Sequence, residues 1–298
     1  MEQNYAIVVD STTDLPQSLA DKLDLIVIPY IFTLDGKDYY NYLDYRELSV
    51  KDFYGSLKAG KLSTTTQVTA HRYMETWEPL LKEGKDILYM CLSSTLSKSF
   101  DQSQMAAKEA MEAYPDRKVI TIDTKGASLG QGLLAYHASK NRSAGKTLEE
   151  NHTIIEDLVS RLHHWIVPDD LHHLKRGGRL SGASALMGTM LNIKPILTLG
   201  DDGKLVPASK VRGWGKATDY ILARMEEYGF NPDIKAKEGC VFIAHSDATT
   251  RAEQFKTVIT NRLGGKEFVI NEIGPVIGSH TGPGTIAVVF IGNKRPQV

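Results

Sequence analysis

Apolar residues in this chain fall into short continuous runs, each followed by a polar stretch and then by a helical pattern. Residues 5–9, 25–34, 87–92 and 119–122 are such runs, the form taken by strands buried on both faces of a helix-covered parallel sheet. Helical spacing covers 50–57, 70–81, 96–113 and 128–140, and a further helix starts near Pro16, since proline suits a first turn. Ile154, Ile155, Leu158, Val159 and Leu162 recur at the helical period. Asp35-Gly36 marks a turn. This alternation predicts an α/β fold with a mainly parallel sheet in the first half.

The second half is more mixed. Residues 193–199 and 205–209 flank Asp201-Asp202-Gly203 and predict a hairpin. Helices are predicted over 217–228 and 250–263, and strands over 241–244, 268–273 and 286–291. Glycine-rich residues 274–284 read as a loop before the last strand. A chain of 298 residues fits two domains better than one. We place them at 1–155 and 156–298, the second with a mixed sheet.

Residues 171–199 are the most unusual segment. Lys175-Arg176-Gly177-Gly178-Arg179 forms a basic turn, with glycines where the backbone must turn or be approached closely. Residues 181–191 read as a short helix carrying small residues at Gly182, Ala183, Ala185 and Gly188, with Met187 and Met190 among them. Residues 194–199 read as a buried strand that starts at its proline. Small residues on a helix admit a long slim ligand, or simply a sheet packed close against it.

Composition narrows the class. Hydrophobic content of 42% and charged content of 24% are ordinary for a globular chain, and a net charge of −1 gives no field that favours nucleic acid or an anionic membrane. No apolar run reaches the length of a membrane span, and Met1-Glu2-Gln3-Asn4 is no signal-peptide start, so a cytoplasmic location is expected. Cys91 and Cys240 lie in apolar runs and read as buried free thiols.

Candidate chemistry gathers in four hydroxyl-rich loops, residues 10–14, 64–67, 93–97 and 123–125. Ligands of open α/β sheets bind beyond the carboxyl ends of strands, where hydroxyls and backbone N–H groups can hold a carboxylate or phosphate. Helix capping is the alternative use of the same residues. The chain has no GxxxxGK[ST] loop, no strand-linked GxGxxG and no GxSxG elbow. His163-His164 and His172-His173 are poor metal ligands, because adjacent histidines point to different faces. His280 stands alone in the glycine-rich loop before the final strand.

These segments together resemble the DegV family of fatty-acid-binding proteins over essentially the whole chain. Asp10-Ser11-Thr12-Thr13-Asp14-Leu15-Pro16 matches the opening motif, and Thr65-Thr66-Gln67 stands where the family has Thr-Ser-Gln. Ser93-Ser94-Thr95-Leu96-Ser97 begins the Ser-Ser-x-Leu-Ser-Gly-Thr motif, and Asp123-Thr124 through Gly130 and Gly132 resembles a third. Residues 174–182, 192–199 and 278–284 complete the series, the last resembling His-x-Gly-Pro-Gly.

The resemblance implies two α/β domains with a ligand tunnel between them. It implies a long-chain fatty acid as the ligand, no cofactor, and no catalytic residue of the chain's own. Its partner would be a separate fatty acid kinase catalytic subunit, which phosphorylates the presented carboxyl group to an acyl phosphate for phospholipid metabolism. Thr65, Thr66, Ser97, Ser94 and His280 are implied to hold the carboxylate. Arg212, Arg176 and Arg179 are candidates for the mouth of the site or for partner docking. Nucleic acid is not an expected partner, and membrane contact would at most be transient. The alternative is an acyl hydrolase or acyltransferase using Ser97 with His280, and a purely regulatory interaction protein stands third. Where the family has Ser-Gly-Thr-Tyr, this chain has Ser97-Lys98-Ser99-Phe100, so a glycine and a hydroxyl are lost beside the carboxylate. Had the backbone needed a positive φ there, Lys98 would be strained.

Overall fold

The structure, a computed structural model, describes residues 4–169, 171–180, 192–231 and 239–295. The small-residue run at 181–191, with Gly182, Ala183, Ala185, Met187, Gly188 and Met190, lies outside the described residues. Strand β1 (Tyr5–Asp10) is buried at all six positions, as its unbroken apolar run requires. It lies between β2 (Leu25–Ile28) and β6 (Asp86–Cys91), with β7 (Val119–Asp123) beyond β6, and every pairing in this sheet is parallel. Alternation along the strands divides the core. Ile7, Val9, Leu88 and Met90 pack with α5 (Leu129–Ser143) and α6 (Leu148–Arg161). Val8, Ile87 and Tyr89 pack with α2 (Val50–Lys58), α3 (Ala70–Lys82) and α4 (Ser99–Ala113) on the other face.

Residues 25–34, expected as one strand, form two. Pro29 separates β2 from β3 (Tyr30–Leu34), which leaves the parallel sheet and joins β4 (Lys37–Asn41) and β5 (Ser63–Thr66) in an antiparallel sheet ordered β4-β3-β5. Proline supplies no N–H and so breaks the ladder of hydrogen bonds on the edge where its N–H would point. The predicted turn is in place, with φ of 53° at Asp35 and 81° at Gly36. The short helix α1 (Gln17–Lys22) follows Pro16 as predicted.

The second sheet is mixed, ordered β10-β9-β8-β13-β11-β12, and only β11 (Cys240–His245) and β12 (Glu267–Glu272) pair parallel. Its remaining strands are β8 (Leu162–Val167), β9 (Ile193–Leu199), β10 (Leu205–Arg212) and β13 (Ile286–Ile291). The predicted β9–β10 hairpin is formed. β9 starts at Ile193, two residues before Pro195, and Pro195 lies outside the part of β9 that pairs with β8. Helices α8 (Gly213–Glu227) and α9 (Thr249–Leu263) cover one face of the sheet around Trp165, Ile221, Ile243 and Phe255. The other face meets α5, and Phe242, Ala287 and Val289 share a core with Leu133 and Leu134. One helix thus fills the space between the two sheets. Gly130 permits the fit, since a Cβ there would lie 1.8 Å from His164 Nε2.

Besides residues 64–67, of which the first three lie in strand β5, two loop expectations need correction. The basic turn is mostly helix, α7 (His172–Gly177), closed by Gly178 at φ 66°. Residues 274–284 contain α10 (Pro275–Thr281), whose proline at the first helical position was the overlooked start signal.

Candidate functional site

A cavity of about 260 Å³ opens where the carboxyl-end loops of the first half face the inner side of the mixed sheet. Leu92, Leu96, Ile166, Leu174, Leu199, Leu205, Ile273, Val276 and Ile277 supply an apolar lining. Thr65, Thr66, Gln67, Ser97, Lys98, Arg179 and His280 supply polar groups.

β5 brings the threonines to the wall. Paired with β3 at Phe32, Thr65 is placed so that its Oγ1 lies 2.9 Å from His280 Nε2, a hydrogen bond whose donor depends on the ring's tautomer. Thr66 Oγ1 reaches the Ile31 carbonyl at 3.4 Å. His280 itself stands in the last turn of α10. Burial pulls its pKa down to about 4, and the nearby charges of Arg179 and Arg176 push the same way. The ring is therefore neutral at pH 7, and its Nδ1 is buried without a hydrogen-bond partner among the described residues. A Cβ on Gly177 would lie 2.3 Å from that Nδ1, so α7 ends in glycine where His280 presses against it.

Ser97 closes the opposite wall. Its Oγ donates to Ser99 Oγ at 3.1 Å and accepts the Ser99 N–H at 3.2 Å, and Ser99 Oγ in turn accepts the Val68 N–H. No hydrogen bond joins Ser97 to His280 among the described residues, and no carboxylate orients the ring, so the dyad that a serine hydrolase needs is not formed. Lys98 has φ −79° and no backbone strain, and its side chain turns to Asp101 at 3.3 Å. The lost glycine therefore costs the loop nothing in conformation.

The other predicted residues divide. Ser94 is not part of the cavity lining. Asp123 holds it through the Ser94 N–H at 3.1 Å and Oγ at 2.5 Å, which gives the hydroxyl a structural partner. Arg179 lies at the cavity, where its Nε donates to the Leu96 carbonyl at 3.2 Å and its Nη1 to the Gly177 carbonyl at 2.6 Å. Arg176 bonds His173 Nδ1 at 2.9 Å and lies outside the lining. Arg212 is exposed at the end of β10, away from the cavity.

Loops 10–14 and 123–125, also candidates, build structure. Asp10 Oδ1 accepts the Thr12 N–H at 2.9 Å as the cap of a short 3₁₀ turn, and Oδ2 accepts the Tyr89 hydroxyl at 3.0 Å. Thr124 Oγ1 donates to the Cys91 carbonyl at 2.6 Å. Two cavity residues escaped the sequence reading. Tyr30 has a buried hydroxyl beside Ser97 and Ser99 that makes no well-formed hydrogen bond. His164 faces the cavity while His163 stacks on Tyr228 on the other side of the sheet. Strand alternation over Leu162–Val167 was the signal for His164. Among the described residues no group of His, Cys, Asp and Glu side chains is arranged to hold a metal.

The fold and site define a class: an α/β protein with an apolar cavity between a parallel and a mixed sheet, polar where loops, β5 and α10 converge. The chain belongs to the DegV family, whose profile, described as "Uncharacterised protein, DegV family", matches residues 4–293. A DegV domain-containing protein of Clostridium perfringens is 38% identical over 293 residues, spanning 98% of this chain and 99% of its own. The solved structure of a DegV family protein from Thermus thermophilus, described as fatty acid binding, superposes with a TM-score of 0.85 at 30% identity, over 97% of this chain and 99% of that one. DegV of Bacillus subtilis, described as a fatty acid binding protein, gives a TM-score of 0.81 at 27% identity over 98% and 100% of the two chains.

Proposed function

We propose that this protein binds one long-chain fatty acid in the cavity, with the carboxyl group at Thr65, Thr66, Ser97 and His280 and the tail along the apolar lining. The observation that carries the reading is the division of that lining: the threonines of β5, the Ser97 loop, a neutral imidazole and a guanidinium lie beside leucine and isoleucine side chains. Burying about ten methylenes offers roughly 8 kcal/mol before ordering costs. A buried carboxylate is expensive unless several donors meet it, and Thr65, Ser97 and Arg179 carry such donors. The fatty-acid-binding relatives from T. thermophilus and B. subtilis support the same ligand class.

The finer role we propose is presentation. The carboxyl group is offered to a separate kinase subunit, which supplies ATP and makes the acyl phosphate. The chain has none of the phosphate-cradling loops that would let it do so alone. Arg179 at the mouth, Arg176 on α7 and Arg212 at the tip of β10 are the proposed contacts for that partner or for the phosphoryl group. In the same reading the chain works in the cytoplasm, where ATP is available to the partner, and divides into units 1–155 and 156–298. α6 runs unbroken through that junction and leads directly into β8.

Native mass spectrometry of gently purified protein tests the reading. One fatty acid per chain is the expected result. A chain that carries no lipid and takes up no added palmitate overturns it.

A further inference from the structure

We propose that Asp14 is the positioning residue of this site: its carboxyl group ties the two walls of the cavity together and so sets where His280 stands. The inference rests on reading the cavity as an acyl-carboxylate site. Asp14 follows β1, is buried, and is not part of the cavity lining. Its Oδ1 accepts the Gly274 N–H at 3.0 Å, its Oδ2 accepts Ser128 Oγ at 2.5 Å, and its carbonyl accepts Asn271 Nδ2 at 2.8 Å. Gly274 is the residue before α10 and has no side chain with which to cap it. A helix of seven residues is too short to hold its own geometry, so its anchors decide where it lies. A Cβ at Gly274 would lie 2.6 Å from Asp14 Oδ1, so only glycine lets the carboxyl in.

The opposite grip is equally specific. Ser128 lines the cavity and precedes α5 with φ 53° and ψ −139°, and Asp14 has φ 50°. Two non-glycine residues in positive φ meet through one short hydrogen bond. Aspartate adopts the left-handed region readily, but Ser128 at ψ −139° is strained, and such strain persists only where the surroundings over-determine it. The grip is made with a neutral carboxyl group: burial raises the Asp14 pKa to about 8, and Asp10 and Glu272 add to the rise against the pull of Ser128 and the Gly274 N–H. The other ionisable groups around it are the Tyr45 and Tyr54 phenols, both held well above their ordinary range by burial, and His245, 3.2 Å from Glu272. A neutral Asp14 can still accept from both Ser128 and the Gly274 N–H.

The test follows His280 and the ligand separately. ¹⁵N NMR of the imidazole through a pH titration reads the ring in ligand-free protein. Calorimetry compares palmitate with hexadecanol, which has the tail but no carboxylate. Asp14→Ala and, independently, Gly274→Ala should lift the His280 pKa from about 4 by about one unit or more. Both should weaken palmitate about tenfold and hexadecanol less than about twofold. Asp14→Asn keeps an acceptor for the Gly274 N–H and should stay within about twofold of wild type for palmitate. An unchanged His280 titration in both Asp14→Ala and Gly274→Ala overturns the proposal, as does an equal loss of the two ligands. A wild-type chain that binds neither ligand sinks the fatty-acid reading instead, and the ring titration still decides on Asp14.

Discussion

Two polar clusters stand at strand ends in this molecule, and they differ in how completely their atoms are matched. Around Asp10, both carboxylate oxygens accept hydrogen bonds, Thr12 passes its hydroxyl contacts on to Gln131, and Tyr89 is joined to Tyr73 at 2.9 Å. Around His280, its own Nδ1, the nearby Tyr30 hydroxyl and the Nδ1 of His164 are buried with no well-formed hydrogen bond among the described residues, and all three side chains line the cavity. Buried polar atoms are almost always paired. Unpartnered buried atoms also occur away from the cavity, at Thr13 Oγ1 in the turn that Asp10 caps among others, so what marks the His280 cluster is that three of them face one cavity, where a ligand would supply what is missing, while the better-matched Asp10 cluster holds the fold. Hydroxyl-rich sequence is common to both. What separates them is the partner each atom finds after folding.

The contrast breaks most simply at Asp10. Asp10→Ala strands the Thr12 and Tyr89 donors in the core and should cost about 3 kcal/mol or more of stability in urea unfolding. If that variant unfolds at the wild-type midpoint, the saturated cluster is not what holds the strand ends.

Acid probes the unsaturated cluster next. Burial holds His280 and His163 at about 4 and His164 at about 3, below the ordinary 6.5. Between pH 6.5 and 4 the unfolded chain binds protons that the folded chain refuses, so these three groups withdraw stability as pH falls. Asp14 acts in the opposite sense. Its folded pKa of about 8 lies above the 3.8 of the unfolded chain, so its contribution declines as pH rises through that window. The buried Asp10 carboxyl, also raised by burial, acts with it. From pH 6.5 to 5.5 the three imidazoles together withdraw about 3 kcal/mol while Asp14 returns about 1.4 kcal/mol and Asp10 adds to that return, so the net loss should stay below about 2 kcal/mol. Above 6.5 the acids alone remain and stability should decline again. Unfolding curves at several pH values check this, and stability that rises on acidification would contradict it.

Much of the fold was legible because burial on both faces leaves unbroken apolar runs, as in Tyr5–Asp10 and Asp86–Cys91. The strand Ser63–Thr66 was not, since four hydroxyl residues show no apolar alternation, and its pairing with β3 is imposed from outside. The site residues Thr65, Thr66, Ser97 and His280 were named from motif resemblance, and the structure gathers all four at one cavity. Ser94 belongs to the same motif as Ser97 and ranks behind it as a carboxylate ligand on the resemblance. Only the parallel pairing of β6 with β7, which brings Asp123 beside it, takes Ser94 out of the lining. Asp14 was visible as a capping residue, but its reach to Gly274 spans 260 positions and no local pattern encodes it.

Removing a head-group contact should separate the two clusters from the ligand's side. Ser97→Ala and His280→Ala should each weaken palmitate by about 1–3 kcal/mol, since each leaves a buried carboxylate short of a partner. Their folding stability should move by less than about 1 kcal/mol, unlike Asp10→Ala, because neither side chain joins the Asp10 network. Equal losses of stability and affinity would place these residues with the structural cluster.

The smallest effects should come from the residues the fold leaves out of the lining. Ser94→Ala and Arg212→Glu should each leave palmitate affinity within about 0.5 kcal/mol of wild type. Ser94 is committed to Asp123, and Arg212 is exposed at the end of an edge strand. The two should part when a kinase subunit is added. Ser94→Ala should support acyl phosphate formation at the wild-type rate. Arg212→Glu should lower it and make the remainder more sensitive to salt, because an exposed docking charge acts through screened, long-range attraction. Arg176→Glu is the control on the same face of the proposal. Its guanidinium already bonds His173 outside the cavity lining, so fatty-acid binding should survive reversal there and acyl phosphate formation should fall less than in Arg212→Glu. Equal rates for Arg212→Glu and wild type across a salt series would remove β10 from the docking surface and leave Arg179, bonded to the Leu96 carbonyl, and Lys98 as the cations of the cavity lining.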